Sequence, residues 1–240
     1  MNENRPQSSR EAFWVPPGCD SEGFLFMNRT SFLVDGFNLY HSVKTASFDL
    51  GLGGRRTKWL DIYGMCSSYL HAIGKDAQTV GVHYFSALAK HLQSSNPGVV
   101  ARHTCYLDCL KHTGVTVELA RFKKKKIKCP NCGSNIKRHE EKETDVAIAA
   151  KLFELQLLDE CDTCVIVSGD TDVVPAVKTA QRLFPNKYIG FLLPYERYNE
   201  ELTRLGSFHF KIKKETYARH QLADTVVLAN GKILTKPSSW

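Results

Sequence analysis

This sequence predicts an α/β protein with a mostly parallel central sheet flanked by helices, and three observations predict it. Short apolar β-type runs alternate with amphipathic helical patterns over most of its 240 residues, the pattern of strands joined by crossover helices. Two of those runs, Phe32–Val34 and Val165–Val167, lead into Asp35 and Asp170. Near the end, Val226–Ala229 and Lys232–Thr235 flank Asn230-Gly231, a strong short-range signal for a β-hairpin.

Taken in order, residues 1–30 read as a flexible, polar leader. Strands are expected at Ser31–Val34, Thr79–Ser86, Val115–Phe122, Cys164–Val167, Lys187–Leu193 and Phe208–Ile212. Helical spacing of apolar residues marks Trp59–Ile73, Val99–His112, Thr144–Leu158 and Val173–Leu183. The third of these is the clearest, with Val146, Ala149, Ala150, Phe153, Leu157 and Leu158 on one stripe. Between Lys123 and Glu143 the α/β rhythm breaks, and a basic, cysteine-bearing insertion interrupts it.

Composition narrows the class. At 42% hydrophobic the chain can bury one good core, yet no apolar run approaches the roughly 20 residues a membrane span needs. Met1–Asp20 has no apolar segment of the secretory type, so a soluble, cytoplasmic protein without membrane partners is expected. Eight cysteines in a chain of this size suit reduced thiols or metal ligands better than a disulfide scaffold. The net charge of +7 favours an anionic partner. Arg121, Lys123, Lys124, Lys125, Lys126 and Lys128 concentrate that charge with no acid among them. Such a block is either a solvated loop or a phosphate-binding stripe whose affinity falls with salt.

In an open α/β sheet ligands bind in the crevice at the carboxyl ends of the strands, where Asp35 and Asp170 are expected. Asp145 opens a helical pattern between them, and Asp172 follows Asp170. Each acid has an ordinary explanation. Asp170 or Asp172 can cap a helix, Asp145 can answer a helix dipole, and Asp35-Gly36 can be turn chemistry. Together, carboxylates at one crevice repel unless a cation neutralises them. Mg²⁺ is held by carboxylates plus substrate phosphates, which points to metal-dependent chemistry on phosphate esters.

Asp35-Gly36-Phe37-Asn38-Leu39, Glu141-Lys142-Glu143-Thr144-Asp145-Val146 and Ser168-Gly169-Asp170-Thr171-Asp172 stand in one order and spacing. In these motifs the chain resembles the NYN domain family of PIN-like nucleases, and looks most like its bacterial LabA-like branch. The similarity runs through Arg121-Phe122-Lys123 to Lys236-Pro237-Ser238-Ser239-Trp240. The resemblance implies a Rossmann-like PIN-type fold over residues 31–222, with the insertion at 123–142 and a hairpin tail at 223–240. It also implies an acidic pocket for Mg²⁺ or Mn²⁺ and hydrolysis of RNA. Carried over, Asp35, Asp145 and Asp170 match the core metal-binding acids, Asp172 the fourth acid, and Asn38 a polar catalytic residue. Ser168 and Thr171 are candidates to orient these groups or to hold a phosphate oxygen.

Lys128-Cys129-Pro130-Asn131-Cys132-Gly133 has the shape of a zinc knuckle. A structural Zn²⁺ needs four Cys or His ligands. His139 is the candidate third, with Cys105, Cys109, His103, His112 or a second subunit for the fourth. The second Cys-x2-Cys, Cys161 to Cys164, reads better as core. The aromatic residues Phe37, Tyr40 and Tyr195 either stack bases, as in single-strand binders, or pack against the core.

The leading function is therefore a metal-dependent endoribonuclease on single-stranded or loop RNA. The alternative is a non-catalytic RNA-binding or regulatory module on the same fold. A full acid set argues against it, since unneutralised carboxylates repel phosphates. A phosphatase would want Asp-x-Asp after the first strand, where this chain has Asp35-Gly36-Phe37. The insertion and the terminal ribbon are candidate surfaces for self-association into a homo-oligomer.

Overall fold

The computed structural model describes residues 27–53, 57–128 and 135–240, with backbone alone over 123–128 and 135–142. Residues 1–26 of the expected leader lie outside the described residues. Asn28–Thr30 already belong to the first strand, β1 (Asn28–Asp35). β1 is followed by helix α1 (Gly36–Asp49), two short helices α2 (Ile62–Ser67) and α3 (Leu70–Ile73), β2 (Ala77–Ala87) and α4 (Val99–His112). Then come β3 (Val115–Lys128), β4 (Asn135–Lys142), α5 (Thr144–Leu157), β5 (Thr163–Val167), α6 (Val174–Leu183), β6 (Tyr188–Leu193) and α7 (Glu200–Leu205). β7 (His209–Lys211), α8 (Lys214–Arg219), β8 (Thr225–Val227) and β9 (Ile233–Thr235) complete the chain.

Seven strands form one sheet in the order β4-β3-β2-β1-β5-β6-β7. Every pairing in it is parallel except β3 with β4, which bears out the expected mostly parallel sheet. The chain builds outward from β1 through β2 to β3, then returns to place β5 on the other side of β1. That reversal opens a crevice at the carboxyl ends of β1 and β5, where open α/β sheets bind ligands.

Alternation along β1 splits the core in two. Phe32 and Val34 pack with α1, α2, α4 and α8 on one face of the sheet, while Leu33 packs with α5, α6 and α7 on the other. Trp59 is fully buried, and its indole N–H donates to the Ala223 carbonyl at 2.8 Å. Burying β1 on both faces leaves its end rigid, which matters because Asp35 closes it.

Three local expectations change. The single helix expected over Trp59–Ile73 is instead α2 and α3, with Asp61 accepting from the Gly64 N–H at the start of α2. α1 was not anticipated as a helix. It forms because Asp35 caps it and Leu39, Val43 and Ala46 bury one face. The insertion, weighed as a solvated loop, is largely strand. β3 continues to Lys128 and pairs with β4, with Lys124 opposite His139 and Lys126 opposite Lys137. Since β2 pairs β3 only to Ala120, these strands project as an arm from the edge that bears the crevice.

The expected hairpin tail is present as antiparallel β8 and β9, with Val226 opposite Leu234. Gly231 takes a left-handed φ of 79° in its turn, a conformation glycine adopts at little cost. Among the described residues no helix is long and apolar enough to cross a membrane.

Candidate active site

The first acid is placed by the end of a buried strand and the start of a helix. Asp35 is only 4% exposed, and its Oδ1 accepts from the backbone N–H groups of Phe37 at 3.1 Å and Asn38 at 3.0 Å. Its Oδ2 accepts from the Ser168 hydroxyl at 2.8 Å. A carboxylate offers about four lone-pair positions, so three bonds leave Oδ2 with room for one more partner. The capping role that would have made Asp35 ordinary is real, but it uses only one oxygen.

β5 supplies the opposite wall. Ser168 is fully buried, donating to Asp35 and accepting from the Asp170 N–H at 3.1 Å. Its hydroxyl thus contacts both acids, the geometry of a residue that orients them. Asp170 caps the short 3₁₀ turn Thr171–Val173, its Oδ1 accepting from the Asp172 N–H at 3.1 Å. Thr171 is half-buried in that turn, and Asp172 stands exposed at the rim.

Asn38 ties the two walls together, its Oδ1 accepting from the Gly169 N–H at 3.1 Å. An amide must present oxygen to an N–H donor, so its NH₂ remains as a donor. Gly169 is required by packing, since a Cβ there would lie 2.1 Å from the Arg197 carbonyl oxygen.

Asp145 enters from the first turn of α5, half-buried. Burial raises its pKa above the ordinary 3.8, and the charges of Asp170, Asp35 and Asp172 add to the rise. Burial likewise raises Asp35, with Asp170 adding to it. The Asn38 N–H, the Ser168 hydroxyl and the Phe37 N–H hold it down. Two carboxylates disfavoured as anions at one crevice mark a site suited to an added positive charge. Among the described residues no three His, Cys, Asp or Glu side chains are already drawn to metal-ligand spacing. The donor set is all oxygen, which suits hard divalent cations.

The basic residues fall in two classes. Arg121 is exposed and paired with Glu143 through both carboxylate oxygens, at 2.8 to 3.1 Å. Lys123, Lys124, Lys125, Lys126 and Lys128 lie along β3 in the arm, whose base leads through Glu143 into Asp145. Cys129 and Cys132 lie outside the described residues, and His139 is on β4 opposite Lys124.

The candidates for a fourth zinc ligand sit on α4. Burial pushes the Cys109 thiol up to about 12, with the neighbouring Cys105 and Asp108 adding to the rise. Cys105 donates to the Thr235 carbonyl at 3.7 Å. His103 faces Ser86 at 3.4 Å, and His112 is exposed at the end of α4. Cys161 and Cys164 are buried with sulfurs 3.3 Å apart in the core beneath α5 and α6. The aromatics separate. Tyr195 donates its hydroxyl to Asp49 Oδ2 at 3.1 Å, whereas Phe37 and Tyr40 are exposed on α1.

A family model described as NYN domain matches residues 29–204. The chain belongs to that family and carries its PIN-like nuclease fold. Among solved structures it is similar to a protein of unknown function from Vibrio parahaemolyticus. The two are 16% identical, with 82% of this chain and 97% of that one covered and a TM-score of 0.51; the likeness is one of fold. No curated protein matches.

Proposed function

We propose that this NYN-domain protein is a divalent-metal-dependent endoribonuclease cleaving single-stranded or loop RNA. One observation carries the reading: at the switch point of the sheet Asp35 and Asp145 are both raised, chiefly by burial, with the charge of Asp170 adding to each. Buried carboxylates whose charged forms are disfavoured gain most from a cationic partner.

Asp35, Asp145 and Asp170 would hold Mg²⁺ or Mn²⁺, with Asp172 at the rim. When bound, the ion supplies a polarised scissile phosphate and a water acidified for attack. The protein groups then have distinct tasks. Ser168 holds Asp35 and Asp170 in register, and Asn38 offers its NH₂ to a non-bridging phosphate oxygen. Asp172, exposed and beside Asp170, would accept the proton of the attacking water. The arm's lysines draw the RNA backbone toward the acids, and a zinc held by Cys129 and Cys132 would need ligands other than His139, which pairs with Lys124 four rungs from the last β3–β4 pair.

The test is cleavage of a mixed single-stranded RNA by wild type and Asp170→Asn with Mn²⁺, Mg²⁺ or EDTA. Metal-dependent cutting lost in the variant is the expected result. RNA binding without cutting in any metal would replace the nuclease with the non-catalytic module.

A further inference from the structure

α1 presents an exposed face that its capping role does not explain. Phe37, Tyr40, His41, Lys44 and Phe48 fall at helical spacing on one side, opposite the buried Leu39, Val43 and Ala46. Phe37 is 49% exposed, Tyr40 44% and Phe48 56%. Three half-exposed aromatic rings on one helix stripe are unusual for a solvated surface, because such area is normally withdrawn from water or used for contact.

This stripe begins at the acids. The N–H of Phe37 is bound to Asp35 Oδ1 at 3.1 Å, so the backbone of the stripe's first residue is tied to the first acid. The rings are also held. Phe37 meets His41 edge-on with centroids 4.5 Å apart, and Tyr40 meets the same imidazole at 5.6 Å. Edge contact steadies a ring while leaving a face free to stack. The surroundings are cationic. Burial lowers the His41 pKa, and Arg197 and Lys44 are near enough for their charges to lower it further. The Arg197 backbone lies against Gly169, which joins this patch to the β5 wall.

We propose that the α1 stripe is the track for the unpaired bases of single-stranded RNA flanking the scissile phosphate. Bases stack on Phe37 and Tyr40, while Lys44 and Arg197 face the phosphates. The stripe from Phe37 to Phe48 is ~16 Å long at the helical rise, room for two or three nucleotides. Exposed aromatics interleaved with cations are the arrangement by which proteins hold single strands without reading sequence. A protein partner would find apolar rings there too, but the two cations and the continuity with the phosphate-cleaving acids favour RNA. The inference rests on the acidic pocket as an RNA site, and it adds the surface that holds the unpaired bases.

The test uses the full chain carrying Asp170→Asn, in Mg²⁺, binding a 12-nucleotide RNA with 2-aminopurine placed at successive positions. Adding Phe37→Ala and Tyr40→Ala is expected to weaken single-strand affinity about ten-fold or more. It should also abolish the fluorescence change at one or two positions, and alter blunt-duplex affinity less than two-fold. Phe37→Tyr should restore both signals. Unchanged affinity, an equal loss for duplex, or dissociation of an oligomer with RNA affinity intact would each overturn the track. Cleavage by wild type is read separately. If wild type cuts RNA while the alanine variants bind normally, the track falls alone. If it never cuts but the stacking signal is lost on substitution, the track stands and the nuclease falls.

Discussion

Ser168 Oγ donates to Asp35 Oδ2 at 2.8 Å, joining the ends of β5 and β1 beneath the acidic crevice. Both residues are buried, and the same hydroxyl receives the Asp170 N–H. One side chain thus sets the separation of two carboxylates. Ser168→Ala leaves a buried carboxylate oxygen and an amide short of a partner, which should cost about 1–3 kcal/mol of stability. Urea unfolding measures this. Loss of the donor also raises the Asp35 pKa, so the acidic limb of the activity profile should move to higher pH. A variant as stable as wild type with an unmoved limb would count against the role.

Asp145 gives a stability signature of its own. Its pKa is raised above 3.8, chiefly by burial and then by the other acids. Between the ordinary and the raised value, the folded state keeps a proton that the unfolded chain has lost. Stability therefore falls as pH rises through that window and stays lower above it. In EDTA at pH 7, Asp145→Asn should melt above wild type, with the difference vanishing below the ordinary carboxylate range. Mn²⁺ should raise the wild-type Tm and barely move that of the variant. A variant less stable than wild type in EDTA at pH 7 would contradict the argument.

Gly169 is held between the two walls. Gly169→Ala would set a Cβ 2.1 Å from the Arg197 carbonyl and disturb the Asn38 bond, at a cost of about 1–3 kcal/mol or more. Cleavage should fall further than the fraction unfolded explains. Comparing kcat with the denaturation midpoint distinguishes loss of the site from loss of the fold.

The arm should act through charge. Replacing Lys124, Lys125 and Lys126 with Gln should flatten the dependence of log affinity on log salt by about 2 for single-stranded RNA. The cleavage rate at saturating RNA should change little. A slope equal to that of wild type would take these lysines away from the phosphates.

Zinc at Cys129 and Cys132 is checked by metal analysis of the purified protein. About one equivalent is expected, lost in Cys129→Ser, with a chelator lowering the melting temperature. Less than half an equivalent with an unmoved melting curve would remove the site.

Much of this was legible in the chain itself. Phe32–Val34 and Val165–Val167 are apolar enough to be buried strands wherever they sit, and Asn230-Gly231 specifies its turn locally. Asp35, Asp145 and Asp170 could be grouped because three motifs recur in a family order. α1 was not legible, because Gly36, Ser42, Thr45 and Ser47 are weak helix formers. The helix exists because Leu39, Val43 and Ala46 find a core to bury against. The lysine run gave no strand period, since like side chains carry no inside or outside, and only the facing β4 makes it a ladder. Strand order lay beyond any local pattern. Periodicity says which residues are buried, but not which strand lies beside which, and only the placement of β5 against β1 brings Ser168 to Asp35 and turns four separate acids into one electrostatic site.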